Sequence, residues 1–99
     1  MPVNPLTELT EGLPIEKVRG YAWVGDAMLA LFMRAKILEK CGQIDTQRFV
    51  SVTSNQFLSS FGSPTRVEAQ IGILREREGE AAAMSYIERE IWPRAQKQL

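Results

Sequence analysis

The stretch Tyr21 to Met33 reads Tyr-Ala-Trp-Val-Gly-Asp-Ala-Met-Leu-Ala-Leu-Phe-Met, and Asp26 is the only charge between Arg19 and Arg34. It sits inside a longer segment, Ile15 to Cys41, that opens after Pro14 and closes at Gly42. Proline is tolerated at a helix start and glycine is favoured just past a helix end, so the spacing predicts one long helix over 15–41. A surface helix shows one apolar stripe and one polar face. The centre of this one is apolar nearly all round, so it is expected to be covered on most sides, more than three helices of modest length can cover. A second copy of the chain is the economical cover, a helix surrounded within the monomer the plain one. Trp23, Gly25, Met28 and Phe32 are the residues expected to pack in that core or dimer contact.

The rest of the chain is cut by similar punctuation. Asp45 is a helix cap before a second predicted helix, Thr46 to Phe61, stopped by Gly62. Ser63-Pro64 opens a third, Pro64 to Glu78, ended by Gly79. A fourth, Glu80 to Ile91, is limited by Pro93, leaving a short tail. Residues 1–13, with Pro2 and Pro5, read as an extended or partly ordered lead-in. No hairpin signal and no repeat is present, so the expectation is one all-α domain of about four helices over 1–99.

Composition removes several chemistries. Of the 99 residues 44% are hydrophobic and 24% charged, enough for a core without staples. One cysteine, Cys41, cannot form an internal disulfide or a thiolate metal cage, which fits a reducing compartment. With no histidine, Ser-His and Cys-His nucleophiles and histidine zinc sites are gone. An enzyme of this composition must work through carboxylates, best with a hard cation such as magnesium. Twelve basic and twelve acidic side chains sum to zero, which weighs against a purely electrostatic grip on nucleic acid but leaves room for a local basic patch. No apolar run reaches membrane-spanning length, and the first residues lack the pattern of a signal peptide. A cytoplasmic protein without a membrane partner is expected.

Two acids then stand out. Asp26 and Glu68, the latter within Val-Glu-Ala-Gln-Ile-Gly-Ile-Leu (Val67 to Leu74), both lie in apolar surroundings. A buried carboxylate takes up a proton, pairs with a cation or binds a metal. If the first and third helices pack side by side the two could converge. The alternative stays open that each pairs with an arginine (Arg19, Arg34 or Arg66) and only fixes helix register. Gly25, costing about 1 kcal/mol in mid-helix, permits a close neighbour, whether backbone or ligand.

The segment Tyr-Ala-Trp-Val-Gly-Asp-Ala-Met-Leu (Tyr21 to Leu29) resembles the signature helix of the ribonuclease III family, and Val-Glu-Ala-Gln-Ile-Gly (Val67 to Gly72) its second signature. Phe49-Val50-Ser51 with Ser54-Asn55 resembles the intervening helix, and Gly79-Glu80-Ala81-Ala82 with Ile87 the one that follows. Together they cover most of Tyr21 to Ile91 in the family's order. Ala22 and Thr65 stand where full-length ribonuclease III carries further acids, which brings the chain nearer to Mini-ribonuclease III, the stand-alone form without a double-stranded RNA-binding domain. The resemblance implies a helical homodimer that cuts double-stranded RNA, such as a ribosomal RNA precursor, with Mg2+ or with Mn2+ as its substitute. Asp26 and Glu68 then fall on the catalytic, metal-holding positions. The departure is a short segment between Asn55 and Glu68, where the family has a longer, partly basic, RNA-contacting one. Lys17, Arg19 and Arg66, with Arg48 and Lys36 behind them, are left as the RNA-binding candidates. Alternatives are a ribonuclease III-fold scaffold that binds RNA or a ribosomal partner without cutting, and a purely structural dimerisation module.

Overall fold

A computed structural model describes residues 3–99; Met1 and Pro2 of the lead-in lie outside the described residues. Every regular element among them is helical: a 3-10 turn (Glu8–Thr10), α1 (Ile15–Cys41), α2 (Thr46–Thr53), α3 (Asn55–Leu58), α4 (Pro64–Glu78), α5 (Glu80–Glu90) and α6 (Trp92–Gln96). At 1.5 Å per residue the 27 residues of α1 make a rod about 40 Å long. That rod sets the long dimension of the molecule, 41 Å against 27 and 22 Å for the other two.

α1 ends where the sequence says it must. Gly42 takes a left-handed φ of 72°, and its N–H donates to the Leu38 carbonyl, closing the last turn. The expected second helix is two. Ser54 is extended (ψ 157°) and its Oγ accepts the Phe57 N–H at 3.1 Å, so it caps a new helix and does not continue the old one. A serine side chain offers the backbone this alternative partner locally. The expected tail is also corrected. Pro93 lies in the first turn of α6, where its missing N–H costs nothing, and Trp92 and Ala95 are buried against the core.

The lead-in is docked, not loose. Asn4 Nδ2 donates to the Phe61 carbonyl at 2.7 Å. The buried Gln70 on α4 accepts from the Leu9 N–H at 2.9 Å, and donates to the Pro5 carbonyl at 2.7 Å and the Tyr86 hydroxyl at 3.2 Å. A buried amide with every partner filled clamps its neighbours, because each unfilled partner would cost a desolvated polar group.

The core runs along one side of α1, through Leu29, Met33 and Ile37, into Val67 and Ile71 of α4 and Ile87 and Ile91 beyond. Phe32 and Trp92 meet edge to face at 5.9 Å. Val18, Ala22 and Ala69 form a second, smaller cluster. The expectation that α1 is covered on most sides does not hold within one chain. Val18, Ala22, Gly25, Leu29, Phe32 and Ile37 form a single buried stripe. On the opposite face Trp23 is 82% and Leu31 60% exposed. Met28 and Phe32 are core residues; Trp23 is not.

Candidate functional site

α1 packs most extensively against α4, and glycine decides how closely. A Cβ on Gly25 would fall inside the Glu68 carbonyl group, and a Cβ on Gly72 inside the Tyr21 carbonyl. Each helix lays a bare glycine against the other's backbone. The pairing runs 25 with 68 and 21 with 72, so the two helices are antiparallel. The residue after Gly25 is Asp26, and the residue meeting Gly25 is Glu68. Their side chains leave the contact on the same side and line one shallow groove of about 350 Å³.

Arg19, Ala22, Trp23, Thr53, Asn55 and Thr65 form the rest of that groove. The acids differ from the expected buried pair in one respect: Asp26 is exposed and Glu68 half-buried. Neither forms an ion pair among the described residues, whose salt bridges join Lys36 to Glu88, Arg48 to Asp45, Arg75 to Glu80 and Arg89 to Glu90. Of the arginines in the paired alternative, Arg66 is bound to Thr10, Arg34 lies on Phe49, and Arg19, at the same groove, makes no ion pair with either acid. Burial first, then a hydrogen bond and repulsion from Asp26, push the Glu68 carboxyl up to about 8. A raised value of this kind favours the protonated form of Glu68 at neutral pH. Two carboxyl groups facing each other across a small groove cannot both ionise cheaply unless a cation joins them.

The donor chemistry fits a hard divalent ion. Beside the two acids, Thr53 and Thr65 offer hydroxyl oxygens and Asn55 an amide carbonyl, whereas Arg19 and the Trp23 indole offer only N–H donors. No third acid, cysteine or histidine joins them among the described residues, so protein carboxylates alone would not fill a coordination shell.

The basic candidates separate. Arg19 stands at the groove. Lys17 faces a different cleft, with Tyr21 and Glu76. Arg66 has a structural partner: its Nη1 donates to the Thr10 hydroxyl at 3.0 Å and the Thr10 carbonyl at 3.3 Å, fastening the lead-in. Arg48 pairs with Asp45 and Lys36 with Glu88. Thr53 and Asn55 were not foreseen as site residues. They reach the groove because the chain breaks at Ser54 between them, and the signal was Ser54-Asn55, a serine able to cap the helix that follows.

No family model matches the chain, and comparison with curated proteins and with solved structures likewise returns no similar protein.

Proposed function

We propose that this chain is a divalent-metal-dependent endoribonuclease of the ribonuclease III type, acting on double-stranded RNA in the cytoplasm, in RNA maturation. The observation that supports it is the convergence of Asp26 and Glu68, from two helices, on one open groove where neither is ion-paired among the described residues. The order of the sequence signatures adds to it. Asp26 and Glu68 would hold Mg2+, or Mn2+ in its place, with Asn55, Thr53 and Thr65 and water as further oxygen donors. Such an ion supplies a more acidic water and offsets charge building on a phosphate.

The chain's own residues do the remainder. Glu68 must lose its proton before both carboxylates can act as ligands. Arg19 offers a cation to a phosphate flanking the scissile one. The groove is shallow and open, which suits the wide minor groove of an RNA duplex better than an enclosed pocket would. The chain acts as a homodimer through the exposed Trp23 and Leu31 face of α1.

One observation favours a second reading, a scaffold that binds RNA without cutting: Ala22 and Thr65 leave the site with two acids only. Incubation of the protein with a 30-base-pair RNA duplex in Mg2+ or Mn2+ separates the two. Cleavage that disappears in both Asp26→Asn and Glu68→Gln is the expected result. Retention of the duplex without turnover transfers the case to the scaffold. Neither binding nor cleavage overturns both.

A further inference from the structure

At the C-terminal half of α1 a second groove lies apart from the acid pair. Gly42 stops α1, Asp45 caps α2, and the short connector folds α2 back beside α1. Ile37 and Leu38 of α1, Ile44 of the connector, and Phe49 and Val50 of α2 then line a cavity of about 550 Å³, within the range of small-molecule sites. Three of its walls are large apolar side chains left open to water: Ile44 is 84% exposed, Val50 54% and Leu38 50%. Such a cluster is unusual for a chain of this size unless something covers it.

The charges around it indicate what. Asp45 is committed, its Oδ1 accepting the Arg48 N–H at 3.0 Å and its Oδ2 facing Arg48 Nε at 3.7 Å. Arg48 spends its Nη1 on Cys41 Sγ at 2.8 Å. Arg34 is different. Its guanidinium lies 4.7 Å from the centre of the Phe49 ring, held over the groove, and it makes no hydrogen bond or ion pair among the described residues. The groove therefore offers apolar walls and one uncommitted cation. Its walls are mostly helices whose backbone groups are bonded internally, so an extended peptide would find few partners for its own N–H and C=O groups. A molecule with all its polarity at one end meets this chemistry.

We propose that this groove binds a single-chain amphiphile with an anionic head, the chemistry of a fatty carboxylate: the alkyl chain lies along Leu38, Ile44 and Val50, and the carboxylate pairs with Arg34. The site shares no residue with the acid groove and stands or falls independently of the nuclease reading.

Calorimetric titration of the full chain with decanoate, below its micellar concentration, tests it. One saturating equivalent is expected in the wild type and in Trp23→Ala. Arg34→Gln should weaken binding about tenfold, the worth of one charge-assisted contact. 1-Decanol should bind the wild type about as weakly as decanoate binds Arg34→Gln. Ile44→Asp should abolish binding, and its wild-type helical circular dichroism shows that the fold is kept. No saturable binding overturns the proposal, as does binding indifferent to both groove substitutions. Sedimentation showing that Ile44→Asp breaks up a dimer also overturns it, because the groove then belongs to a second copy.

Discussion

The carbonyl of Glu68 occupies the space where a side chain on Gly25 would begin. With the matching contact of Gly72 on Tyr21, it sets the separation of α1 and α4, and with it the meeting of Asp26 and Glu68. Helix propensity favours alanine over glycine by about 1 kcal/mol, yet backbone overlap of this kind costs about 3 kcal/mol or forces the helices apart.

Gly25→Ala should therefore destabilise the protein by about 2 kcal/mol in urea unfolding, and reduce duplex cleavage at least tenfold even where the chain stays folded. Gly20→Ala is the control. Gly20 lies on the same helix with nothing near its would-be Cβ, so the same substitution should stabilise by about 0.5–1 kcal/mol. If Gly25→Ala stabilises as Gly20→Ala does, the close contact is not real.

Glu68 carries a pH dependence of definite sign. Its folded value, about 8, lies above its ordinary value of 4.5, so between them the folded protein binds the extra proton. Stability contributed by that proton is full below pH 4.5 and is lost as pH rises toward 8. For a half-exposed carboxyl, screened by water, the loss is on the order of 1–2 kcal/mol. Melting temperatures from pH 5 to 9 should show this decline in the wild type and not in Glu68→Gln. Mg2+ or Mn2+ should restore stability at pH 8–9 only where both acids are present. Cleavage should rise with pH over the same window.

Arg66 and Gln70 fasten the lead-in, and their variants should show it. Gln70→Leu strands the Leu9 N–H, the Pro5 carbonyl and part of the Tyr86 hydroxyl's bonding, at about 2–3 kcal/mol. Limited proteolysis should then cut within residues 3–13 before the helices. Arg66→Ala should also loosen that segment while leaving RNA affinity within about twofold of wild type. A large fall in RNA affinity with an intact lead-in would return Arg66 to the RNA-binding residues.

Trp23 and Leu31 define the proposed dimer face. The double variant Trp23→Lys, Leu31→Lys removes two exposed apolar side chains and no core contact. Sedimentation should show a dimer for the wild type and a monomer for the variant, with melting unchanged once concentration dependence is allowed for. A monomeric wild type at tens of micromolar would end the dimer reading.

Much of this molecule could be read from its residues. The bounds of α1 and α4 follow from Pro14, Gly42, Ser63-Pro64 and Gly79, because caps and breakers act through backbone geometry within a few residues. The two acids were legible as anomalies, since lone charges in apolar stretches demand an explanation. The break at Ser54 and the helix after Pro93 were harder. A serine can cap or continue a helix, a proline can end one or begin one, and only the neighbours decide.

Tertiary structure decided the remainder. The sequence determined the bounds of α1 and α4 and that Gly25 could admit a close neighbour. It could not determine that each glycine receives the other helix's backbone, or that Asp26 ends exposed while Glu68 is half-covered. Nor could it separate Arg19, at the groove, from Arg66, bound to Thr10. Local propensity is fixed by near neighbours in the chain, whereas burial, pairing and protonation depend on groups forty or more positions away, brought together only when the helices pack.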